Sequence, residues 1–460
     1  MRVLTRSRPD HAAGMTGRTI CIYYMPRLRI VFRGMWKKMK KACLVVMVCL
    51  AASGGVRVIA DTHYAAQNGQ APGGSFNTWE TAASNIQDAV NAASAYDAVL
   101  VGEGRYMLPP NFTNYGGTNV VFAGKPLILR SSNGVPESAI IDGEGKYRGI
   151  TIYAPFVLDG FTISNCYATN SGGGMWAGYS SPFNYVNIIS NCAFRNNRAL
   201  SASGRGGGLF VSTYIGCSRT SDTLFENNSA GSGGGIDFHW GGQYYGKSHE
   251  VERCVIRSNM AAAAYGGAGL HGSTPNRIVV RNCLMCNNRA TNASGYGGAF
   301  AHEDNAVVST QFFYNCTIVS NMAPAGGGGV FIRDWSSVSM PCPIVEMYNT
   351  IVCSNGSDNI SMKAIAGYSN IILNSCSFPS NANFRMSGTG NITNPPAFVD
   401  FTGKDFRQAP NSPAVNSGMN QPWMEGAVDL DGRSRIDRFS GRIDMGCYEY
   451  MPRGIMFKVH

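Results

Sequence analysis

Residues 191–212 read NCAFRNNRALSASGRGGGLFVS, and this arrangement recurs along the middle of the chain. Each unit has a strand-like run ending in Asn, a loop, a glycine cluster and a second strand-like run. The following units read DTLFENN with GGGIDFH, RCVIRSN with GGAGLHGS, NCLMCNN with YGGAFAH, and NCTIVSN with GGGGVFIR. An earlier unit reads FTISNC with GGGMWAG, and a later one reads NTIVCSN without the glycines. Such internal repeats indicate a solenoid in which each unit is one coil.

Two markers give the same period. The large apolar residue of each first run recurs after 31, 31, 31, 29, 33 and 34 residues, and the last glycine of each cluster after 34, 27, 34, 29 and 31. The apolar residues are Ile163, Phe194, Phe225, Ile256, Met285, Ile318 and Val352. No unit has an apolar pattern of helical length, which excludes helical repeats. The sequence therefore predicts an all-β fold, a single-stranded parallel β-helix.

A column of small residues stands two positions before the large apolar one. It consists of Cys192, Thr223, Cys254, Cys283, Cys316 and Thr350. Because side chains alternate along a strand, this column also faces inward, and we interpret its cysteines as small buried apolar residues. Stacking holds Cβ atoms of neighbouring coils slightly too far apart for disulfides. The pairing of Cys342 with Cys353 is left open.

An asparagine column follows three positions after the large apolar residue. It consists of Asn197, Asn228, Asn259, Asn288, Asn321 and Asn355. Asn tolerates the left-handed conformation and bonds its own backbone, so we expect a stacked corner rather than ligand contacts. The glycine clusters are interpreted as bends with positive φ, because no Lys-Ser, Lys-Thr or helix pattern follows them as in a phosphate loop.

The charge of the chain is concentrated in its first 60 residues. The chain has 38 Lys and Arg against 28 Asp and Glu, but residues 1–60 hold 12 of the basic residues and one acid, Asp10. The rest has 26 basic and 27 acidic residues, a net charge of −1. A nucleic-acid partner is therefore disfavoured.

The first residues have the parts of a secretory signal. Lys37 to Lys41 form a positive region, Ala42–Ala52 a short apolar run, and cleavage is expected before Asp61. The alternative is an uncleaved membrane anchor, although the run is short for a span. We divide the chain into an over-long gene start (1–34), a signal peptide (35–60), an N-terminal cap with the first coils (61–130), β-helix repeats (131–376), a turn-rich C-terminal cap (377–450) and a tail (451–460). No membrane span is expected in the mature chain.

The two ends of the solenoid need covering, since they would expose core and strand edges. Residues 81–93 (TAASNIQDAVNAA) place Ile86, Ala89 and Val90 on one helical face, with Thr81 or Ser84 as the cap. This short helix is predicted to cap the first coil. Residues 377–450 are predicted to cap the far end. Within them, Asp429–Gly432 fits a plain Asp-Gly turn, with a calcium ion as the alternative; no other cofactor is predicted.

These residues resemble a known group of proteins. IIDGEG and LDGFTISNCYATNSGGGMW are similar to the pectin-lyase-like right-handed β-helix superfamily, and Phe-x-x-Asn with Gly-Gly-Ala/Ile resembles the repeats of chlamydial polymorphic outer-membrane proteins. The opening NTWETAASNIQDAVNAASAYDAVLVGEGRY and the closing SPAVNSG, DLDG and IDMGCYEY are similar to exported bacterial β-helix proteins with a variable anchor. The resemblance implies a right-handed helix and a secreted or outer-surface location. It implies an activity only weakly, because the superfamily includes lyases, glycosidases, epimerases and inactive adhesins.

The strands after the glycine clusters suggest where a site lies. Positions one and three after the last glycine of each cluster are interpreted as core, so positions two and four face outward. We expect an exposed strip in which aromatic residues stack on sugar rings and polar residues supply acid and base. The expected stacking residues are Trp176, Phe210, Trp240, Phe300, Phe331 and Trp335, and the candidate catalytic residues are Asp237, His239, His271, His302, Glu303 and Arg333. No metal site is expected, because His239 and His302 stand two coils apart. The alternative is that loops cover the strip.

Two functions follow from this strip. The first is a secreted or cell-surface protein that binds a polysaccharide or surface glycan without cleaving it. The alternative is a polysaccharide lyase or glycoside hydrolase acting on an acidic or plant-type polysaccharide, with Arg333, His302 and Glu303 as candidates for a lyase. The repeat does not decide between them, nor does it give the oligomeric state.

Overall fold

The structure, a computed structural model, describes residues 60–70, 74–109, 118–178, 186–212, 217–239, 248–273, 277–304, 310–334, 344–356, 358–363, 370–378 and 386–451. The predicted leader before residue 60, the tail after residue 451 and Cys342 lie outside these residues.

The described chain winds into stacked coils. Successive coils add strands to the same three long parallel β-sheets. The first sheet contains Thr62–Gln70, Ala98–Val101, Leu127–Ser131, Phe156–Asp159, Val186–Ser190, Cys217–Ser221, Ser248–Glu252, Arg277–Arg281, Thr310–Tyr314, Ile344–Tyr348, Asn370–Asn374 and Met386–Ser387. The second contains Gly104–Tyr106, Ala139–Asp142, Thr162–Ser164, Ala193–Arg195, Leu224–Glu226, Val255–Arg257, Leu284–Cys286, Thr317–Val319 and Ile351–Cys353. The third contains Asn119–Ala123, Arg148–Ile152, Met175–Ala177, Leu209–Ser212, Ile236–His239, Leu270–Ser273, Phe300–Asp304, Val330–Asp334 and Ile360–Lys363.

A short corner sheet leads from the second sheet to the third. It contains Tyr167–Ala168, Arg198–Ala199, Ser229–Ala230, Met260–Ala261 and Arg289–Ala290. Outside the solenoid, Phe398–Asp400 and Asp405–Gln408 form an antiparallel pair, and short 3-10 helices cover Pro136–Ser138 and Pro422–Met424. The predicted parallel β-helix is confirmed. Right-handed winding is the sense that connections between parallel strands adopt.

The interior is built from the columns that the period defines. In the second sheet Ile163, Phe194 and Phe225 pair in register, followed by Ile256. Met285, Ile318 and Val352 continue the same register, and all seven side chains are buried. Neighbouring phenylalanines stack, with 4.9 Å between the ring centroids of Phe194 and Phe225. The prediction of a stacked inward column is therefore confirmed.

The cysteine column is buried as free thiols. Cys192, Cys254, Cys283 and Cys316 are each at most 2% exposed and none forms a disulfide. The backbone N–H of Cys254 donates to Sγ of Cys283 at 3.3 Å, so the thiols also serve as weak acceptors between coils. Cys353 is likewise a buried free thiol. The interpretation of the stack as small apolar residues is confirmed.

Thiol labelling should report this burial. In variants that retain one cysteine, we expect Cys254 to react with an aromatic disulfide reagent at least 100-fold more slowly in the native protein than in urea. Reagent access is blocked, and burial raises the pKa of this thiol well above its ordinary value, which removes the reactive thiolate. Cys217, which is partly exposed, is the matched control and should react faster. Rapid native labelling of Cys254 would contradict the stacked interior.

The asparagine column forms a continuous hydrogen-bonded ladder inside the corner. Asn259 shows the pattern: its Nδ2 donates to Phe225 O at 3.0 Å and to Asn288 Oδ1 at 2.9 Å, while its Oδ1 accepts from Asn228 N and Nδ2, both at 3.0 Å. The expected stacked corner is confirmed. The expected left-handed backbone of these residues is wrong, because it occurs one position earlier. The residues with positive φ there are Asn196, Asn227, Ser258, Asn287, Ser320 and Ser354.

The glycine clusters combine a bend with close packing. A glycine at or near the start of each cluster has positive φ, as at Gly206, Gly233 and Gly267, which confirms the predicted bend. Their last glycines lie against the ladder: a Cβ on Gly235 would come within 2.5 Å of a backbone oxygen of the next coil and 3.2 Å of the Asn259 amide. The third sheet can therefore approach the asparagine corner only where side chains are absent.

A helix covers the first coil, as predicted. It spans Ile86–Ala92, and its buried Ile86, Ala89 and Val90 join the interior core. Its cap is Asn85, whose side chain accepts from Asp88 N, and not Thr81 or Ser84 as expected. Gln87 bonds both backbone groups of Phe122 and so closes the free edge of the third sheet. No helix in the described part of the chain is long and apolar enough to cross a membrane.

The C-terminal segment packs on the outer side of the second sheet near the last coils. Phe406, Met445, Cys447 and Tyr448 form a second core with residues of that sheet, including Ile351. The buried Arg435 pairs with Glu449 at 3.0 Å. Both oxygens of Asp429 accept backbone N–H groups, from residues 431 and 433 on one side and 449 on the other. This is the bonding pattern of an Asp-Gly turn.

Candidate functional site

The outer face of the third sheet carries two groups of side chains. The first is an aromatic platform, defined as Phe122, Tyr153, Trp176 and Phe210, on four successive coils. Register places Phe122 beside Thr151, Thr151 beside Trp176, and Trp176 beside Phe210. Ring centroids are 5.6 Å apart for Phe122 and Tyr153, 4.7 Å for Tyr153 and Trp176, and 6.1 Å for Trp176 and Phe210.

The platform is accessible mainly at its first three rings. Tyr153 is 37% exposed, Phe122 and Trp176 are partly exposed, and Phe210 is buried at 5%. The prediction that Trp176 and Phe210 face outward is confirmed, but the expected exposure of Phe210 is wrong. Phe122 and Tyr153 were missed because their coils carry no glycine cluster to mark the third sheet.

The second group is an ion cluster, defined as Arg205, Asp237, His271, Glu303 and Arg333, also on successive coils. His271 Nδ1 donates to Asp237 Oδ2 at 2.9 Å, and His271 Nε2 lies 3.8 Å from Glu303 Oε2. Arg205 lies 3.6 Å from Asp237, and Arg333 lies 3.5 Å from Glu303. The side chains of Asp237 and His271 are at most 1% exposed, whereas Glu303 and Arg333 are 22% and 13% exposed.

Mutual attraction keeps this cluster charged despite burial. Burial alone would raise the pKa of Asp237, but the charge of His271 and its hydrogen bond, with Arg205, hold that pKa below its ordinary value. Burial would likewise lower the pKa of His271, but Asp237 and Glu303 raise it. The pKa of Glu303 is lowered, because His271 and Arg333 outweigh its burial. The cluster is thus an imidazolium between two carboxylates, with an arginine at each end.

Two of the expected outward residues face the interior. Phe300 pairs with Leu270, and His302 pairs with Gly272, both of which are core positions. The expected outward positions of Phe300 and His302 are therefore wrong, and both side chains are buried. The physical reason is the fifth cluster, where Ala299 takes the place of the last glycine and accepts from Leu270 N. Burial lowers the pKa of His302 to about 3, so its ring is neutral near Gln311, whose Nε2 lies 3.3 Å away.

The other expected site residues within the described part of the chain face outward but differ in exposure. His239 faces outward, partly exposed, with Nδ1 3.4 Å from Ser273 Oγ, and burial lowers its pKa to about 4. Phe331 also faces outward but is buried, with Tyr265 and Tyr296 stacked near it at 5.8 Å and 4.4 Å. The expected exposure of Asp237, His271 and Phe331 is wrong. Trp240 and Trp335 lie outside the described residues.

The geometry limits the chemistry of the ion cluster. Asp237 and His271 cannot touch a polysaccharide, because neither side chain reaches the surface. The two carboxylates of the cluster, Asp237 and Glu303, stand two coils apart, roughly 10 Å by strand spacing. In the described residues no group of three or more His, Cys, Asp or Glu side chains could hold a metal ion. The sequence analysis did not predict that Arg205 and Tyr265 belong to this surface, because they reach the sheet from the loops before the glycine clusters.

Comparison with known proteins gives similarities to solved structures only. No family model matches the chain, and no curated protein matches it. The crystal structure of the pectate lyase Pel9A is similar to it with a TM-score of 0.49 and 14% sequence identity, over 85% of this chain and 96% of that chain. At this level of similarity, no residue role is transferred from that enzyme.

Proposed function

We propose that this protein binds a polysaccharide or surface glycan on the aromatic platform, without cleaving it, outside the cell. The observation that carries the proposal is the position of Trp176. Its indole lies directly over Gly178. A Cβ added at Gly178 would come within 2.2 Å of the ring, so the glycine leaves the room that this orientation needs. An indole that lies down on a sheet and stays partly exposed offers a ring face to solvent, and this is the geometry that sugars stack on.

The ion cluster supports binding over catalysis. Asp237 and His271 are buried, and opposite charges of the cluster pair between neighbouring coils. This arrangement is typical of ion pairs that stabilise a fold. General acid and base catalysis needs groups within hydrogen-bond reach of the substrate. Of the expected catalytic residues, His239, Glu303 and Arg333 keep partial exposure, and they lie beyond the platform along the same sheet.

Replacing Trp176 by alanine should lower glycan affinity at least tenfold. Loss of one stacked ring removes about 1.5 kcal/mol or more of binding free energy, and 1.4 kcal/mol is a factor of ten. We would measure binding of the full chain to immobilised xylan, glucan, mannan and polygalacturonate. Trp79→Ala is the matched control, since Trp79 is 42% exposed and contacts Tyr64 instead of the platform.

The same samples test the enzyme alternative. Absorbance of unsaturated products and release of reducing ends should stay at background for every polymer that binds. Product formation would replace the proposal with a lyase or a glycoside hydrolase. Binding to none of the polymers, or binding that survives Trp176→Ala, would overturn the platform as the site.

A further inference from the structure

Two rings of the platform lie over glycines, and only one of these glycines, Gly178, is needed to make room for its ring. Positions i and i+2 of a strand share a face, so a side chain two residues on would prop up the ring. Gly178 stands two residues after Trp176, and Gly124 stands two residues after Phe122. A Cβ at Gly178 would meet the indole at 2.2 Å, whereas a Cβ at Gly124 would meet the Phe122 ring at 3.8 Å, an ordinary contact.

Tyr153 stands between these two rings with a different orientation. Its plane makes angles of 59° with Phe122 and 55° with Trp176. The platform therefore alternates along the helix axis: a ring over glycine, a tilted ring, and a second ring over glycine. Phe122 and Trp176 are two coils apart in register, which is about 10 Å at ordinary strand spacing.

This alternation matches one class of glycan chain. In an extended chain with a two-fold screw, each sugar is turned over relative to the previous one, so the same face returns at every second unit. Two pyranose units of such a chain are about as long as the distance between the two rings, which is two strand spacings. In a three-fold chain the same face returns only at every third unit. The four platform side chains carry no charge. The nearby Arg148 already donates to Thr151, Asn119 and the backbone oxygens of Gly172 and Ser171, so the platform suits a neutral glycan.

We infer that the ligand is a neutral, linear glycan with a two-fold screw, such as a β-1,4-linked hexose chain, lying parallel to the helix axis. Alternate sugars stack on Phe122 and Trp176, and the sugar between them meets Tyr153. This inference rests on the proposed function and specifies its ligand. Three consecutive sugars are the shortest chain that touches both rings over glycine.

The test is the dependence of affinity on chain length. Cello-oligosaccharides and oligogalacturonides of two to six units would be titrated calorimetrically into the full chain. We expect the association constant for the cello series to rise about tenfold between two and three units, with no such step in the galacturonide series. Phe122→Ala should remove the step. Equal steps in both series, or a step that survives Phe122→Ala, would overturn the inference.

A pair of glycine variants separates ring orientation from folding. Gly178→Ala should lower affinity for all cello-oligosaccharides at least fivefold, because the new Cβ lifts the indole. Gly124→Ala is matched in chemistry and sheet position but has room for its Cβ, and it should bind like the parent chain. Circular dichroism and thermal unfolding show whether each variant is folded. Should Gly178→Ala unfold, Trp176→Phe, which keeps a smaller ring, should still lower affinity at every length, and undiminished binding would overturn the inference.

Failure of the inference can be told from failure of the function. Binding that needs Trp176 but prefers polygalacturonate would overturn the two-fold chain and leave glycan binding intact. Absence of binding to every polymer and oligomer would overturn both.

Discussion

Replacing His271 by alanine is expected to lower the free energy of unfolding by about 4 kcal/mol at pH 6, measured by urea denaturation. The substitution leaves the carboxylate of Asp237 buried without its 2.9 Å hydrogen-bond partner, and removes the cation beside Glu303. Removing one partner of a buried ion pair costs about 3 to 5 kcal/mol, because the remaining charge is uncompensated. Ser273→Ala, on the same strand, is the control and should cost less than about 1 kcal/mol.

The effect should depend on pH in a defined direction. The pKa of His271 is raised in the fold, so its stabilisation is complete below the ordinary histidine value of about 6.5 and is lost as the pH rises through the raised value. The pKa values of Asp237 and Glu303 are lowered, so their stabilisation is present above about pH 4 and is lost as the pH falls through the lowered values. The difference between the parent chain and His271→Ala should therefore be largest between about pH 5 and 6.5. His239 and His302 also titrate, and the charge of His271 contributes to their lowered pKa values, but those values of about 4 and about 3 lie below this pH window.

A double-mutant cycle decides whether charge is the cause. If the cost of His271→Ala arises from the unpaired carboxylate, adding Asp237→Asn removes that charge and should recover about half of the loss. The two single losses would then sum to clearly more than the loss of the double variant. Additive losses would mean that His271 and Asp237 do not stabilise each other by charge. The effect of His271→Ala would then come from the cavity that the substitution leaves.

The sequence was sufficient for the interior because each column repeats a local pattern. Phe194 and Phe225 can be aligned by eye, and the structure pairs them in register. The alignment failed at Ala299, where one glycine is missing and counting from the last glycine shifts the register by one. A one-residue shift turns every side chain to the other face, which is why Phe300 and His302 were expected outside.

The site was less predictable, because loops and unmarked coils contribute to it. Trp176 follows a glycine cluster and could be found by counting. Phe122 and Tyr153 lie in earlier coils without that marker, and Arg205 and Tyr265 reach the outer face from loops of variable length. Alternation gives the direction of a side chain but not its exposure, since exposure depends on what those loops cover. Asp237 and Phe331 show this difference: both face outward as expected, and both are buried.

The asparagine ladder should be the most sensitive feature of the stack to a single change. Replacing Asn259 by alanine removes the acceptor for Asn228 N and Nδ2 and the donor to Phe225 O and Asn288 Oδ1. Each buried polar group left unsatisfied costs about 1 to 3 kcal/mol, so we expect a loss of about 5 kcal/mol in the free energy of unfolding.

The matched control for this change is Asn292→Ala. Asn292 is also an asparagine that bonds a carbonyl of the preceding coil, Ala262 O at 3.1 Å, but it is exposed. Water can replace its bonds, so its loss should cost less than about 1 kcal/mol. Asn259→Ser, which keeps a shorter acceptor, should lose an amount of stability between those of the two alanine variants.

Because every coil packs on its neighbours, a break of the ladder in mid-stack should destabilise the coils on both sides. Hydrogen exchange would show this as lost protection around Phe225 and Asn288. A loss below 1 kcal/mol for Asn259→Ala would mean that the stacked columns, and not the ladder, hold the coils in register.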